Sequence, residues 1–276
     1  MKKIYAIILS LFSVVLFVNT AHSVTLWSTT FDCAEWEHTG SGGPSCDSLS
    51  VASDSRVGTK ITTAANYSGG AGGRGMRQYL GDGNNMQTSG LVIEDFSSSN
   101  TIWVRWYMRY ESGFAWSNVG GYPLYDKWLY LYSSAGNLVP EFDGEEVNVW
   151  SSSSGNYQSG SANWSTVNGG ITGDGQWHLY ELHIDSTSTS GTVELFIDEV
   201  RVLNVTNYSF SSTAGYGYVV IGSNCNSPDN GTPAGYVDFD DVKFSSTGYI
   251  GPIDNSGSIS IWSGSLSISS GSATIK

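Results

Sequence analysis

Runs of roughly four to ten residues, rich in β-branched and aromatic side chains, recur along this chain between clusters of Gly, Ser, Asn and Asp. The clearest span 101–110, 127–132, 177–184, 192–197, 218–221 and 236–244. No stretch repeats its apolar residues at the 3.6-residue spacing of an amphipathic helix, so the pattern predicts an all-β chain. Each sheet must cover its apolar face, and the simplest way is a two-sheet antiparallel β-sandwich. Of the 276 residues, 34 are Gly and only 13% are charged, which disfavours long helices and coiled coils.

Lys2 and Lys3 precede an apolar run from Ile4 to Val18, and Ala21-His22-Ser23 follows with small residues at the cleavage spacing. Residues 1–23 therefore read as a signal peptide cut after Ser23. The apolar run is shorter than the ~20 residues that cross a bilayer, so no membrane span is expected after cleavage. A secreted or periplasmic location follows. The formal net charge is −13, and cleavage removes two lysines and no acid. Such a chain has no basic stripe for nucleic acid. Export also places the cysteines in an oxidising compartment, where Cys33 and Cys46, flanking Gly40, Gly42, Gly43 and Pro44, are expected to close a local disulfide.

Strand alternation assigns faces. Across 102–110, Ile102, Val104, Trp106, Met108 and Tyr110 share one face and form candidate core. Trp103, Arg105, Tyr107 and Arg109 share the other, a surface suited to stacking on sugar rings and binding anionic groups; the plainer reading is a solvated sheet face. The segments 177–184 and 192–197 read as a hairpin across a turn at 186–191, with Glu181 and His183 on the face of Trp177. His178 and His183, five apart on one strand, face opposite ways and make no zinc site. Residues 24–251 are expected to form one domain. Residues 252–276 form a Ser/Gly-rich appendage with a possible hairpin near 258–269 and too little apolar surface to fold alone.

The strand Trp103 to Tyr110, followed by Lys127-Trp128-Leu129-Tyr130-Leu131, resembles secreted polysaccharide lyases of the concanavalin A-like jelly-roll type. The Asp174-Gly175-Gln176-Trp177-His178 segment, Thr192 to Asp198, and the closing run 236–244 with Tyr249-Ile250-Gly251-Pro252 are similar to laminin-G and heparin-lyase-like sandwiches. The resemblance spans about 70–252. It implies a curved sheet whose concave face forms a glycan groove, holding Arg105, Tyr107, Arg109 and Lys127. Non-catalytic lectin-like and adhesion modules share the hairpin and the closing strand, so a binding module is the alternative.

Cleaving a uronic-acid polymer by β-elimination needs a group that neutralises the C6 carboxylate, a base for the C5 proton and an acid for the departing oxygen. Arg105 and Arg109 suit the first role, with Trp103, Tyr130 and Glu181 as further substrate contacts. Lys127 or His183 is a candidate base, and Tyr107 or Tyr130 a candidate base or acid. Arg74, Arg77, Arg105, Arg109 and Lys127 lie between 74 and 127 among as many acids, a neutral stretch in an acidic chain where an anionic glycan could bind.

Glu141, Asp143 and Glu145 have the spacing of jelly-roll glucanases, although an acidic turn after Pro140 explains them more simply. Asp238, Asp240 and Asp241, with Asp32, could hold a structural Ca²⁺ or merely protect a sheet edge. The expected protein is a monomeric, exported polysaccharide-recognising sandwich that requires no cofactor. Its expected activity is lyase cleavage of a uronate polymer, with lectin-like binding as the alternative.

Overall fold

The computed structural model describes residues 24–37, 49–51, 59–82, 91–93, 96–114, 125–134, 136–143, 146–151, 157–163, 173–210, 213–226, 234–253, 259–262 and 265–268. In chain order the strands are β1 (Thr25–Thr29), β2 (Trp36–Glu37), β3 (Leu49–Val51), β4 (Thr59–Thr62), β5 (Gly75–Asp82), β6 (Leu91–Ile93), β7 (Thr101–Tyr110), β8 (Tyr125–Ser133) and β9 (Gly136–Asp143). There follow β10 (Glu146–Ser151), β11 (Tyr157–Asn163), β12 (His178–Asp185), β13 (Ser190–Ile197), β14 (Val200–Ser209), β15 (Tyr216–Asn226), β16 (Ala234–Ser245), β17 (Ile259–Trp262) and β18 (Ser265–Ile268). Among the described residues the only helical element is one 3₁₀ turn, Thr63–Ala65.

Two antiparallel sheets form the sandwich. The nine-stranded sheet runs β14-β13-β12-β7-β16-β5-β4-β2, with β1 on the far half of β16; the seven-stranded sheet runs β11-β10-β9-β8-β15-β6-β3. The expected hairpin of residues 177–197 is β12–β13, with Tyr180 opposite Ile197. The strands β17 and β18 pair with each other. No helix of the described residues is long and apolar enough to cross a membrane; residues 1–23 lie outside them.

The β7 alternation holds: Ile102, Val104, Trp106, Met108 and Tyr110 are buried between the sheets. Trp106 stacks on Tyr180 with ring centres 5.5 Å apart, and Trp128 meets Tyr180 edge-on at 5.2 Å. At one side of this aromatic cluster the two sheets share a polar pin. The Tyr110 hydroxyl of β7 donates to the Asp126 carboxylate of β8, and the Trp128 indole N–H donates to the Tyr110 oxygen at 3.0 Å. Asp126 is 0% exposed, and burial beside it pushes the Tyr110 phenol well above its ordinary value.

The strand β8 departs from simple alternation. Its register against both β9 and β15 shifts beyond Lys127, the mark of a β-bulge. Asp126 and Trp128 face the core before the bulge, and Leu129 and Leu131 face it after. Lys127, Tyr130 and Tyr132 therefore share the outer face.

The acidic turn expected after Pro140 is instead strand: Pro140 sits inside β9 opposite Val149. On its other side lies the bulge of β8, where the ladder is already interrupted and a missing N–H costs little. The turn residues 144 and 145 lie outside the described residues. Cys33 is buried against the core and disulfide-bonded; Cys46, expected to pair with it, lies outside the described residues.

Tyr110→Phe leaves the Asp126 carboxylate buried without its phenol donor. Chemical denaturation should report a loss of about 2 kcal/mol with an unchanged slope, while Tyr132→Phe, on the outer face, should cost less than about 0.5 kcal/mol.

Candidate functional site

The sandwich sorts the expected site residues onto two outer faces that point away from each other. Trp103, Arg105, Tyr107, Arg109, Glu181 and His183 lie on β7 and β12 of the nine-stranded sheet. Lys127 and Tyr130 lie on β8 of the seven-stranded sheet. Sheets in a sandwich stack about 10 Å apart, so the arginines and Lys127 cannot grip one carboxylate. The expected single groove of Arg105, Tyr107, Arg109 and Lys127 is thus corrected. Alternation orders side chains within a strand but says nothing of which sheet the strand joins.

On the nine-stranded face, one row crosses the strands. Glu37, Lys60, Arg77, Asp238 and Arg109 are successive register partners on β2, β4, β5, β16 and β7. Asp238 is 0% exposed and is clamped from both sides, by Arg77 Nε at 2.7 Å and Arg109 Nη2 at 2.5 Å. Both guanidinium groups also donate to the carbonyl of Ala64. Arg77 lies 3.5 Å over the Tyr236 ring and Arg109 4.7 Å over Trp177. These cations are spent on an internal carboxylate that would otherwise be a buried unpaired charge.

Beside that row, the chain covers its own sheet. Residues 249–253 lie as a strap across β7 and β12. The Ile250 and Gly251 N–H groups donate to Glu181 at 2.6 and 2.9 Å, Arg105 donates to the Gly251 carbonyl at 3.3 Å, and the Ile253 N–H donates to the Tyr107 oxygen at 3.0 Å. Tyr67 stacks on Tyr107 at 3.9 Å, and Tyr249 packs edge-on against Trp103 at 5.8 Å. Glu181, Arg105 and Tyr107 are all buried as a result. His183 stacks on Trp103 at 4.0 Å and pairs with Glu194 at 2.9 Å, so it too has a structural setting.

The acids proposed for Ca²⁺ face separate partners. Asp238 holds the two arginines, Asp240 accepts the N–H groups of Tyr67 and Asp241 at 2.7 Å each, and Asp241 sits in a bulge of β16 at φ 47°. Asp32 accepts from the Gly73 N–H at 3.2 Å. The loop 67–73 thus seats its amides on these carboxylates. Gly70 is required there, since a Cβ would fall 1.5 Å from the Asp241 carboxylate. Among the described residues no cluster of three or more His, Cys, Asp or Glu side chains is arranged to hold a metal ion.

The seven-stranded face differs in kind. Asn224, Lys127, Glu141, Asn148 and Ser159 are successive register partners on β15, β8, β9, β10 and β11. Glu141 is 0% and Asn148 2% exposed, while Lys127 is partly open. Along β8 the row continues into Tyr130 and Tyr132, stacked at 6.3 Å, and Tyr132 meets Tyr218 of β15 edge-on at 5.2 Å. A partly open cation and three phenols on one face can hold a glycan by ring stacking and charge-assisted hydrogen bonds, with the buried Glu141 and Asn148 beside the cation. Asn148, Tyr132 and Tyr218 were not singled out from sequence. The Val147-Asn148-Val149 alternation carried the signal for the first: a polar residue between two core valines must look outward. Glu141 and Asp143 occupy one face of β9 by register, and Glu145 lies outside the described residues.

Many solved structures overlap with this chain, two of them as follows. A mutant of alginate lyase Aly36B in complex with alginate trisaccharide shares 12% identity at a TM-score of 0.53, covering 81% of this chain and 99% of that one. The cellulose-induced protein Cip1 shares 17% identity at a TM-score of 0.51, covering 72% and 90%. The chain has the concanavalin A-like jelly-roll fold. No family model matches this jelly roll, and no curated protein matches it by sequence.

Three groups, Glu181 and Asp240 on the strapped face and His178 at the start of β12, make the jelly roll's stability depend on pH. Burial is the main cause that raises Glu181 to about 7 and Asp240 to about 8. Burial pulls His178 down, but its hydrogen bond donated to the Asp198 carboxylate and the charges of Asp198 and Asp174 together hold it above its ordinary value. In each case the folded state binds the proton more tightly than the unfolded chain, so stability is present below the ordinary pKa and falls as pH rises through the raised one. Asp185, lowered by its bonds to Thr187, acts oppositely and loses stability only below the usual carboxylate range. Melting temperature should be highest at about pH 4 and fall as pH rises between about 4 and 8, the span from the ordinary to the raised values of Glu181 and Asp240. Glu181→Gln should flatten that drop.

Proposed function

We propose that this protein binds a uronate-containing polysaccharide across the outer face of the seven-stranded sheet and cleaves it by β-elimination. The observation that carries the reading is the convergence of Lys127, Tyr130, Glu141 and Asn148 around the β8 bulge, on a face that the strap does not reach. The structural overlap with an alginate lyase supports it. We further propose that residues 1–23 export the chain, that Cys33 pairs with Cys46, and that the protein acts as a secreted or periplasmic monomer.

The chemistry assigns three services to three groups. Lys127, opposite Glu141, binds the C6 carboxylate, so the C5 proton becomes more acidic. Tyr130, on the same outer face of β8, is the proton carrier. The phenolate takes the C5 proton, the C5 electron pair forms the C4–C5 double bond, and the C4–O4 bond breaks. The protonated Tyr130 then returns the proton to the departing oxygen. Glu141 is a positioning residue that orients Lys127.

A binding-only reading is favoured by a different observation. The Tyr130, Tyr132 and Tyr218 rings alone suffice to hold a glycan, and the arginines that seemed suited to uronates are engaged within the fold.

Incubation with alginate, glucuronan and heparin, followed by ultraviolet absorbance of the unsaturated product, separates the two. Lys127→Ala and Tyr130→Phe should each lower kcat by about 10²-fold or more, while Arg105→Lys should leave turnover per folded molecule unchanged. Binding without any unsaturated product, on all three polymers, establishes the lectin-like alternative. New reducing ends without unsaturation would point to hydrolysis at Glu141 and Asp143.

A further inference from the structure

At the Ser133 end of the same outer face, beyond Tyr130, lies a cavity of about 450 Å³. Tyr132 and Tyr218 meet there at an interplanar angle of 61°, giving a floor and a wall of aromatic ring. Ser98 and Ser134, both exposed, bring hydroxyls to its rim. Gly215 and Gly217 keep the facing chain close: a Cβ at 215 would fall 2.5 Å from the Ser98 hydroxyl and 2.9 Å from the Ser99 backbone, and one at 217 would fall 3.2 Å from the Phe96 carbonyl. The register of β15 against β8 also shifts between Tyr216 and Tyr218, at the cavity.

We propose that this cavity is a subsite for an uncharged pyranose unit of the same glycan whose uronate engages Lys127. The inference rests on the Lys127 face being the glycan site. Three features select the occupant. None of the described residues lining the cavity is charged, so it offers nothing to neutralise a carboxylate, and burying an unpaired one would be costly. Two crossed phenol rings match the apolar C–H faces of a pyranose, while the rim serine hydroxyls can exchange hydrogen bonds with its own hydroxyls. The volume lies within the range of small-molecule sites and accommodates one sugar unit. Lys127 and Tyr132 are five residues apart on β8, roughly 16 Å at the rise of a strand, so only an oligosaccharide engages both. The preferred polymer is therefore one in which uronates are interrupted by uncharged sugars.

The test uses β-1,4-linked glucan and mannan tetrasaccharides in three forms: neutral, fully oxidised at C6, and fully oxidised except for one uncharged unit at either end. Calorimetric titration of the mature protein should show one mixed form binding at least ~5-fold more tightly than the fully oxidised form. Tyr132→Leu and Tyr218→Leu should each erase that preference, and Ser98→Trp, which fills the cavity from an exposed position without removing any core contact, should erase it while the melting temperature stays unchanged. Lys127→Ala should weaken both uronate forms and keep the preference. Equal affinity for mixed and fully oxidised forms, with Lys127→Ala still damaging, overturns the subsite and leaves the uronate site standing. Uronate binding that ignores Lys127, or no uronate binding at all, overturns the uronate site and the subsite with it.

Discussion

A carboxylate held between two β-sheets is costly unless it is hydrogen-bonded, and that cost organises this molecule. Asp126 points inward to the Tyr110 hydroxyl, and Trp128 points inward to the same oxygen. With Asp126 and Trp128 committed to the core, Lys127 between them has to face outward. The strand then carries Leu129 and Leu131, which also belong in the core, and an unbroken alternation could not bury both pairs. The bulge resolves the conflict by inserting one residue, and its consequence is functional. Lys127, Tyr130 and Tyr132 emerge on the same side, next to Glu141 and Asn148.

The two outer faces of the sandwich have been put to different uses. On the nine-stranded sheet, cations and carboxylates neutralise one another. Arg77 and Arg109 close on Asp238, and Arg105 and Glu181 fasten the strap at Gly251. The rings there, Tyr67 on Tyr107 and Trp103 on His183, stack on protein partners. Charged groups paired in this way contribute to holding the central strands in register, and little of their charge is left for a ligand. The seven-stranded face keeps a partly open lysine and crossed phenols on a scaffold whose other side is well-packed core. Rigid strands beneath mobile side chains are the better platform for a site.

Much of the architecture was legible in the residue pattern. The period-two alternation of 102–110 separated core from surface correctly, the 177–197 hairpin formed as read, and short apolar runs between Gly and Ser clusters pointed to a jelly roll. Pro140 misled, because proline argues against an interior strand unless the ladder beside it is already broken, and the break belongs to β8, not to β9. Lys127 and Tyr130 stand on β8, whereas the arginines grouped with them in the sequence stand on β7 of the other sheet. Arg105 and Arg109 precede Lys127 by only about twenty residues, which invites the idea of a common site, yet the chain crosses to the other sheet between them.

Sequence alone determined which side chains of each strand are buried, since alternation is a local property of the extended backbone and the apolar set must leave water. It determined the fold class for the same reason. Which strands become neighbours is decided by pairing between segments far apart in the chain, and only the tertiary structure settles it. That pairing placed the arginines under a strap drawn from residues 249–253 and set Glu141 and Asn148 beside Lys127. Local pattern chooses the face of a strand; long-range hydrogen bonding chooses the company it keeps.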